Sequence, residues 1–239
     1  MTLADLLAAA AAHAPDLAPA VSRSGVANLD RVAASTVAAV TSDSRVVTRG
    51  SVFVALRGLQ ADGAAFALDA IARGAIAVVA ETPAPAGTTV PWLPVANARL
   101  ALAALSAAFF GHPSDDLLLV GITGTNGKTT TSYLLASIFE AAGIRSGRIG
   151  TVGYQVADRE VAATRTTPEA PDLQRMLREM VSAGCGACVL EASSHALALR
   201  RVDCLHFSAA IFTNLTRDHL DFHRDMEDYF LAKRRLFEL

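Results

Sequence analysis

Residues Gly121 to Thr130 read Gly-Ile-Thr-Gly-Thr-Asn-Gly-Lys-Thr-Thr, a glycine-rich stretch closing on a lysine and hydroxyl side chains. Glycines let backbone N–H groups turn toward an anion, and a helix starting at the lysine adds its dipole, so the stretch can cradle phosphate oxygens. On this reading Gly124, Thr125, Asn126, Gly127, Lys128, Thr129 and Thr130 wrap the phosphates of ATP. Lys128 sets a compact charge against the β- and γ-phosphates, and the Thr129 hydroxyl ligates Mg²⁺. The strict spacing of the motif fails by one residue, because Ile122 stands where its first glycine belongs. Gly124 supplies the freedom instead.

A triphosphate site needs a divalent ion held by oxygens, commonly from an acid at the end of a neighbouring strand. Glu191 fits, ending the apolar run Ala187-Cys-Val-Leu190 ahead of a polar turn at Ser193-Ser194-His195. A second polar cluster, Asn214, Asp218, His219 and Asp221, follows the apolar run Ala209–Phe212. Its histidine, among acids and an amide, suits a metal or a substrate. Cys185, Cys188 and Cys204 can be drawn as a zinc site with His206, but Cys188 lies inside an apolar run and reads better as a small buried residue.

The elements that must position these groups follow from hydrophobic patterning. Runs at 51–56, 75–79, 117–122, 187–190 and 207–212 read as buried strands, and 69–73, 96–110, 129–142 and 172–183 as helices. The alternation predicts an α/β fold with a parallel sheet and ligands at the carboxyl ends of its strands. Gly111-His-Pro-Ser114 reads as a boundary between a domain at 1–113 and a second at 114–239. The second sheet looks incomplete, which reads as a fragment or one half of a larger enzyme.

Bulk properties remove several classes. The 239 residues are 52% hydrophobic, enough for a sizeable core, and the net charge of −2 without a long run of one sign argues against nucleic-acid or membrane partners. No apolar stretch reaches the roughly 18 residues a bilayer requires. The N-terminal run lacks the leading basic residues of a signal peptide and carries Asp5, so it reads as a helix of a cytoplasmic protein. Of 21 basic residues only Lys128 and Lys233 are lysines. A chain that uses arginine wherever any cation will do has a reason for each lysine.

Asp43-Ser-Arg45, Phe53-Val-Ala-Leu56, Gln60-Ala-Asp-Gly63, Gly124-Thr-Asn-Gly-Lys-Thr-Thr130, Thr166-Thr-Pro-Glu169, Glu191-Ala-Ser-Ser-His195, Phe212-Thr-Asn-Leu-Thr-Arg-Asp-His-Leu-Asp-Phe-His223 and Ala232-Lys233 together resemble the Mur ligase family of peptidoglycan synthesis. The resemblance implies an α/β domain binding a UDP-sugar, then a P-loop-type, parallel-sheet, ATP-binding domain that is incomplete here, with the C-terminal amino-acid-binding domain absent. It implies a monomer that uses ATP and Mg²⁺ to join a third amino acid, diaminopimelate or lysine, to a UDP-N-acetylmuramoyl dipeptide. Ser44, Gln60 and Ala61 would lie against the UDP part, and Thr166, Thr167, Ser193 and Arg201 would hold the muramoyl dipeptide. Glu191 and His219 would be magnesium ligands beside Thr129, and Lys233 would act as a carbamate, chemistry closed to arginine. Lys128, Lys233 and His219 would be the catalytic groups. Leu59, Arg165 and Leu199 depart from the family pattern. The glycine loop alone also fits folylpolyglutamate synthases, and a non-catalytic UDP-sugar-binding module is a further alternative.

Overall fold

The computed structural model describes residues 1–17, 32–58 and 62–239, which form two compact units, Met1–Phe109 and Phe110–Leu239. The first is built on four parallel strands, β1 (Ala39–Thr41), β2 (Ser51–Ala55), β3 (Ala75–Ala80) and β4 (Trp92–Pro94), hydrogen-bonded in that order. Every residue of β2 is buried, as expected of a parallel strand covered on both faces. Helix α1 (Leu3–Ala10) is started by a capping box: Thr2 Oγ1 accepts the Asp5 N–H at 3.2 Å while Asp5 Oδ2 accepts the Thr2 N–H at 3.1 Å. Leu3, Leu6, Leu7 and Ala10 fall on one buried stripe. Helix α2 (Ala67–Ala72) stops at Gly74, whose φ of +106° and approach to Arg49 exclude a side chain. Helix α3 (Ala98–Phe109) is mostly alanine and leucine and buried along almost its whole length.

The second unit has a six-stranded sheet made of β5 (Leu118–Thr123), β6 (Ser146–Ile149), β7 (Gly153–Val156), β8 (Arg159–Ala162), β9 (Ala187–Glu191) and β10 (Ala209–Phe212), in the order β10-β5-β9-β6-β7-β8. The first four are parallel, but β7 and β8 run antiparallel, so the expected parallel sheet is in fact mixed. The cause is local. Only Ala157 and Asp158 separate β7 from β8, and Ala157 at φ +54° turns the chain straight back, leaving no length for a crossover helix.

Helix α4 (Lys128–Ala141) leads from β5 to β6 and α5 (Ala170–Ser182) from β8 to β9; α5 buries Leu173, Met176, Leu177 and Met180 along one face. The Ser193–His195 stretch expected as a turn opens a short helix, α6 (Ser194–Ala198), because Ser193 Oγ accepts the Ala196 N–H at 3.2 Å as an N-cap. Helix α7 (Met226–Arg234) closes the unit. Among the described residues no helix is long and apolar enough to cross a membrane.

Candidate active site

The misplaced glycine of the loop has a packing explanation. Gly121 lies in β5, where an added Cβ would come within 2.8 Å of Phe207 and Leu236. Ile122 is fully buried beside Glu191 of β9 and Ile211 of β10. The loop proper begins at Gly124 (φ +139°), where any side chain would collide with Thr213 Oγ1, and ends at Gly127 (φ +84°), the N-cap of α4.

The run after β10 braces this loop from outside. Thr125 donates its N–H to the Asn214 carbonyl at 2.9 Å, Asn126 N–H reaches Asn214 Oδ1 at 3.1 Å, and Thr213 Oγ1 donates to the Asn126 carbonyl at 2.7 Å. Thr216 and Tyr229 close on the Thr125 hydroxyl, each at 3.1 Å. Asn214 therefore holds the loop in shape.

Both lysines converge on the loop. Lys128 Nζ donates to the carbonyls of Gly124 and Thr125 at 2.8 Å, and Lys233 Nζ, 105 residues later and almost fully buried, donates to the same Gly124 carbonyl at 2.7 Å. Lys233 also sits 4.3 Å above the Tyr229 ring. Burial first, and then the charge of Lys128, push the Lys233 amine down to about 7; burial also lowers Lys128.

Glu191 ends β9 fully buried beside the start of α4. Its Oε2 accepts from the hydroxyls of Thr129 at 3.0 Å and Thr151 at 2.9 Å. Gly150 makes room for it, since a Cβ there would overlap Glu191 Oε1 and force the carboxylate to shift. A buried carboxylate ringed by hydroxyls is a hard-oxygen donor set, which fits Mg²⁺ and would be poor for a soft metal. Among the described residues no three His, Cys, Asp or Glu side chains gather as a cage, so substrate oxygens or water would complete such a shell. His219, at φ +53°, packs its ring 4.9 Å from that of His195 and 6.0 Å from that of Tyr229, with Asp218 3.7 Å from its Nε2.

A polar strip adjoins Glu191. Thr167 Oγ1 donates to the Glu191 carbonyl at 2.7 Å and accepts the Ser193 N–H at 3.1 Å; Thr166 and Thr151 share a hydroxyl contact at 3.1 Å. Arg201 reaches the Thr167 carbonyl at 3.3 Å and pairs with Glu169 at 2.9 Å. Thr166, Thr167, Ser193 and Arg201 are thus brought together in one strip. Ser44 lies in the first unit, half-buried in a short turn capped by Asp43, and Gln60 and Ala61 lie outside the described residues. Thr130 is exposed in the first turn of α4.

Sequence reasoning passed over Tyr229, Thr151 and Thr213. Tyr229 carried a usable signal, standing four residues before Lys233 on one face of a helix. Thr151 carried none, because its link to Glu191 depends on β6 lying beside β9.

An α/β sheet with a parallel core of β10, β5, β9 and β6, in which β5 turns through a glycine loop into a helix and an acid ends the adjacent strand, defines a P-loop-type nucleotide domain. Comparison with known proteins narrows this. A profile described as Mur ligase middle domain matches residues 122–239, and one described as Mur ligase family, catalytic domain, matches residues 36–110. The chain belongs to the Mur ligase family. It is 52% identical over 207 residues to a UDP-N-acetylmuramoyl-L-alanyl-D-glutamate--2,6-diaminopimelate ligase of Chlorobaculum tepidum, covering 86% of this chain and 41% of that protein. It is 46% identical over 242 residues to a UDP-N-acetylmuramyl-tripeptide synthetase of Deinococcus radiodurans, covering 100% of this chain and 47% of that one. A solved UDP-N-acetylmuramoyl-L-alanyl-D-glutamate--2,6-diaminopimelate ligase superposes with a TM-score of 0.73 at 32% identity, over 84% of this chain and 41% of that one. The chain thus spans less than half the length of these relatives.

Proposed function

We propose that this chain carries the UDP-sugar-binding and ATP-binding parts of a cytoplasmic, monomeric ligase that adds a third amino acid, meso-diaminopimelate, to UDP-N-acetylmuramoyl-L-alanyl-D-glutamate. The observation that carries the reading is the meeting of the chain's two lysines on the Gly124 carbonyl. In a protein that otherwise uses arginine, two small ammonium-bearing side chains are aimed at the loop where a triphosphate would lie. Names of relatives supply the substrate.

In this reading residues 1–113 hold the UDP part through Ser44, Gln60 and Ala61, and residues 114–239 hold ATP. The D-glutamate side-chain carboxylate attacks the γ-phosphate, ADP leaves, and the resulting acyl phosphate is opened by the incoming amine with loss of phosphate. No protein nucleophile is needed. The loop N–H groups and Lys128 hold the phosphates in line and offset their growing charge. Thr166, Thr167, Ser193 and Arg201 fix the dipeptide. Mg²⁺, held by Thr129 and Glu191 with His219 and carbamylated Lys233 as further proposed ligands, would neutralise phosphate charge when bound. Lys233 is prepared for that role: near neutral pH a substantial share of its amine is unprotonated, and the free amine can bond to dissolved CO₂ and release a proton.

Calorimetric titration tests the assignment. Saturable binding of UDP-N-acetylmuramoyl-L-alanyl-D-glutamate and of Mg²⁺–ADP is expected; binding of a folate in place of the UDP-sugar would overturn it.

A further inference from the structure

On the flank of α4, well beyond the phosphate loop at its start, two clefts share one wall. The larger, about 450 Å³, is lined by Tyr133, Ser137, Glu140, Arg145, Arg148 and Gln155 among others. The smaller, about 170 Å³, lies on the other side of Tyr133 and Arg148. The shared wall is a stack, the Arg148 guanidinium lying 3.8 Å over the Tyr133 ring.

Arg148 is the unusual member. It stands in β6 with only 4% of its surface exposed, no acid pairs with it among the described residues, and its Nη1 is buried without a hydrogen-bond partner. A buried, unpaired cation is costly unless something compensates it. The neighbouring Arg145 is compensated already, by Asp158 and the Ala183 carbonyl. Among the described residues Arg148 is therefore the one cation lining these clefts without an acid within 4 Å, although Glu140 lines the larger cleft and Glu160 the smaller. Ring stacking covers one face of the Arg148 fork and leaves its edge, which presents parallel N–H donors, to meet a planar carboxylate.

The mouth sets the opposite condition. Glu140 is exposed on the same face as Tyr133, two helical turns along or about 10 Å. The carbonyl end of α4 lies beside it and adds partial negative charge. We propose that this cleft is a binding site for a small monocarboxylate, its anionic head against Arg148 and its uncharged or cationic tail toward Glu140, and that it discriminates against dianions. The site is independent of the ligase reading, since none of its lining residues belongs to the phosphate loop or to the Glu191 cluster.

Titration of the 239-residue chain with benzoate, phthalate and inorganic phosphate, followed by NMR at the Arg148 Nε–H and the Tyr133 ring, tests this. Benzoate is expected to saturate, with phthalate and phosphate at least about 5-fold weaker. Arg148→Met, which keeps the stem and removes the charge, is expected to weaken benzoate at least about 10-fold while melting no lower than the parent, because it also removes an uncompensated buried cation. Glu140→Gln is expected to narrow the benzoate–phthalate gap to under about 2-fold. Should Arg148→Met fail to fold, Arg148→Lys keeps the charge without the fork and is expected to weaken benzoate about 3-fold. Benzoate binding that does not saturate, or that persists unchanged in the Arg148 variant, would overturn the proposal. So would a lower melting temperature without loss of binding, which would make the stack a packing element.

Discussion

Two populations of charge in this molecule behave differently. On the surface, arginines pair with acids at short range, as in Arg73–Asp69, Arg175–Glu179 and Arg234–Glu238, with both side chains well exposed. Around the phosphate loop, Lys128, Lys233 and Glu191 are half to fully buried, and each is met by carbonyls or hydroxyls. Exposed pairs contribute little, because solvent screens them and side-chain entropy opposes them. The buried cluster costs stability, since two ammonium groups share one carbonyl. Such an arrangement lowers affinity for protons and leaves room for a polyanion, whereas buried charge elsewhere is either paired, as Asp203 is with Arg200 and Arg235, or stacked, as Arg148 is on Tyr133.

That contrast can be broken by substitution, and the largest effect belongs to the loop. Lys128→Ala is expected to weaken Mg²⁺–ATP binding by at least about 100-fold, roughly 2.7 kcal/mol, with the fold retained; calorimetry reads it. Gly150→Ala comes next, because its Cβ would overlap Glu191 Oε1. A loss of about 1–3 kcal/mol in denaturant unfolding is expected, together with weaker Mg²⁺-dependent nucleotide binding.

Lys233 gives a pH signature. Its amine sits at about 7 in the folded chain against the usual 10.5, so between those values the unfolded state binds more protons. Stability should rise with pH from about 7 toward 10.5, and below 7 the full penalty remains. Lys233→Met is expected to remove that slope and to raise the melting temperature at pH 6, as seen by circular dichroism. At the far end of the scale, Asp69→Ala in the exposed Arg73 pair is expected to change stability by less than about 0.5 kcal/mol. A loss there comparable to that of Gly150→Ala would dissolve the distinction.

Much of the frame was legible in the residues. The apolar runs of β2, β3, β5 and β9 are buried on both faces and therefore nearly continuous in sequence, and α4 announces itself by the glycines before it. The three-residue strands β1 and β4 are too short to show a period. The β7–β8 hairpin had a signal, the alternation of buried Tyr154 and Val156 with more exposed neighbours. In the site, residue chemistry singled out Lys128, Thr129 and Glu191 because a motif ties each to a strand end. Thr151 and Thr213 act through sheet neighbours distant in sequence, and ordinary threonines at such places carry no mark.

The pairing of the two lysines has a practical consequence. Apart from the N-terminus, every primary amine in the chain lies at the phosphate loop. Beside the N-terminus, an amine-selective label on the folded protein would therefore report on half-buried Lys128, Lys233 being shielded, and a lysine-specific protease acting on the unfolded chain would find only the bonds after residues 128 and 233. The second unit is in effect pre-tagged at its loop, so occupancy of the loop can be followed by mass spectrometry as protection of Lys128.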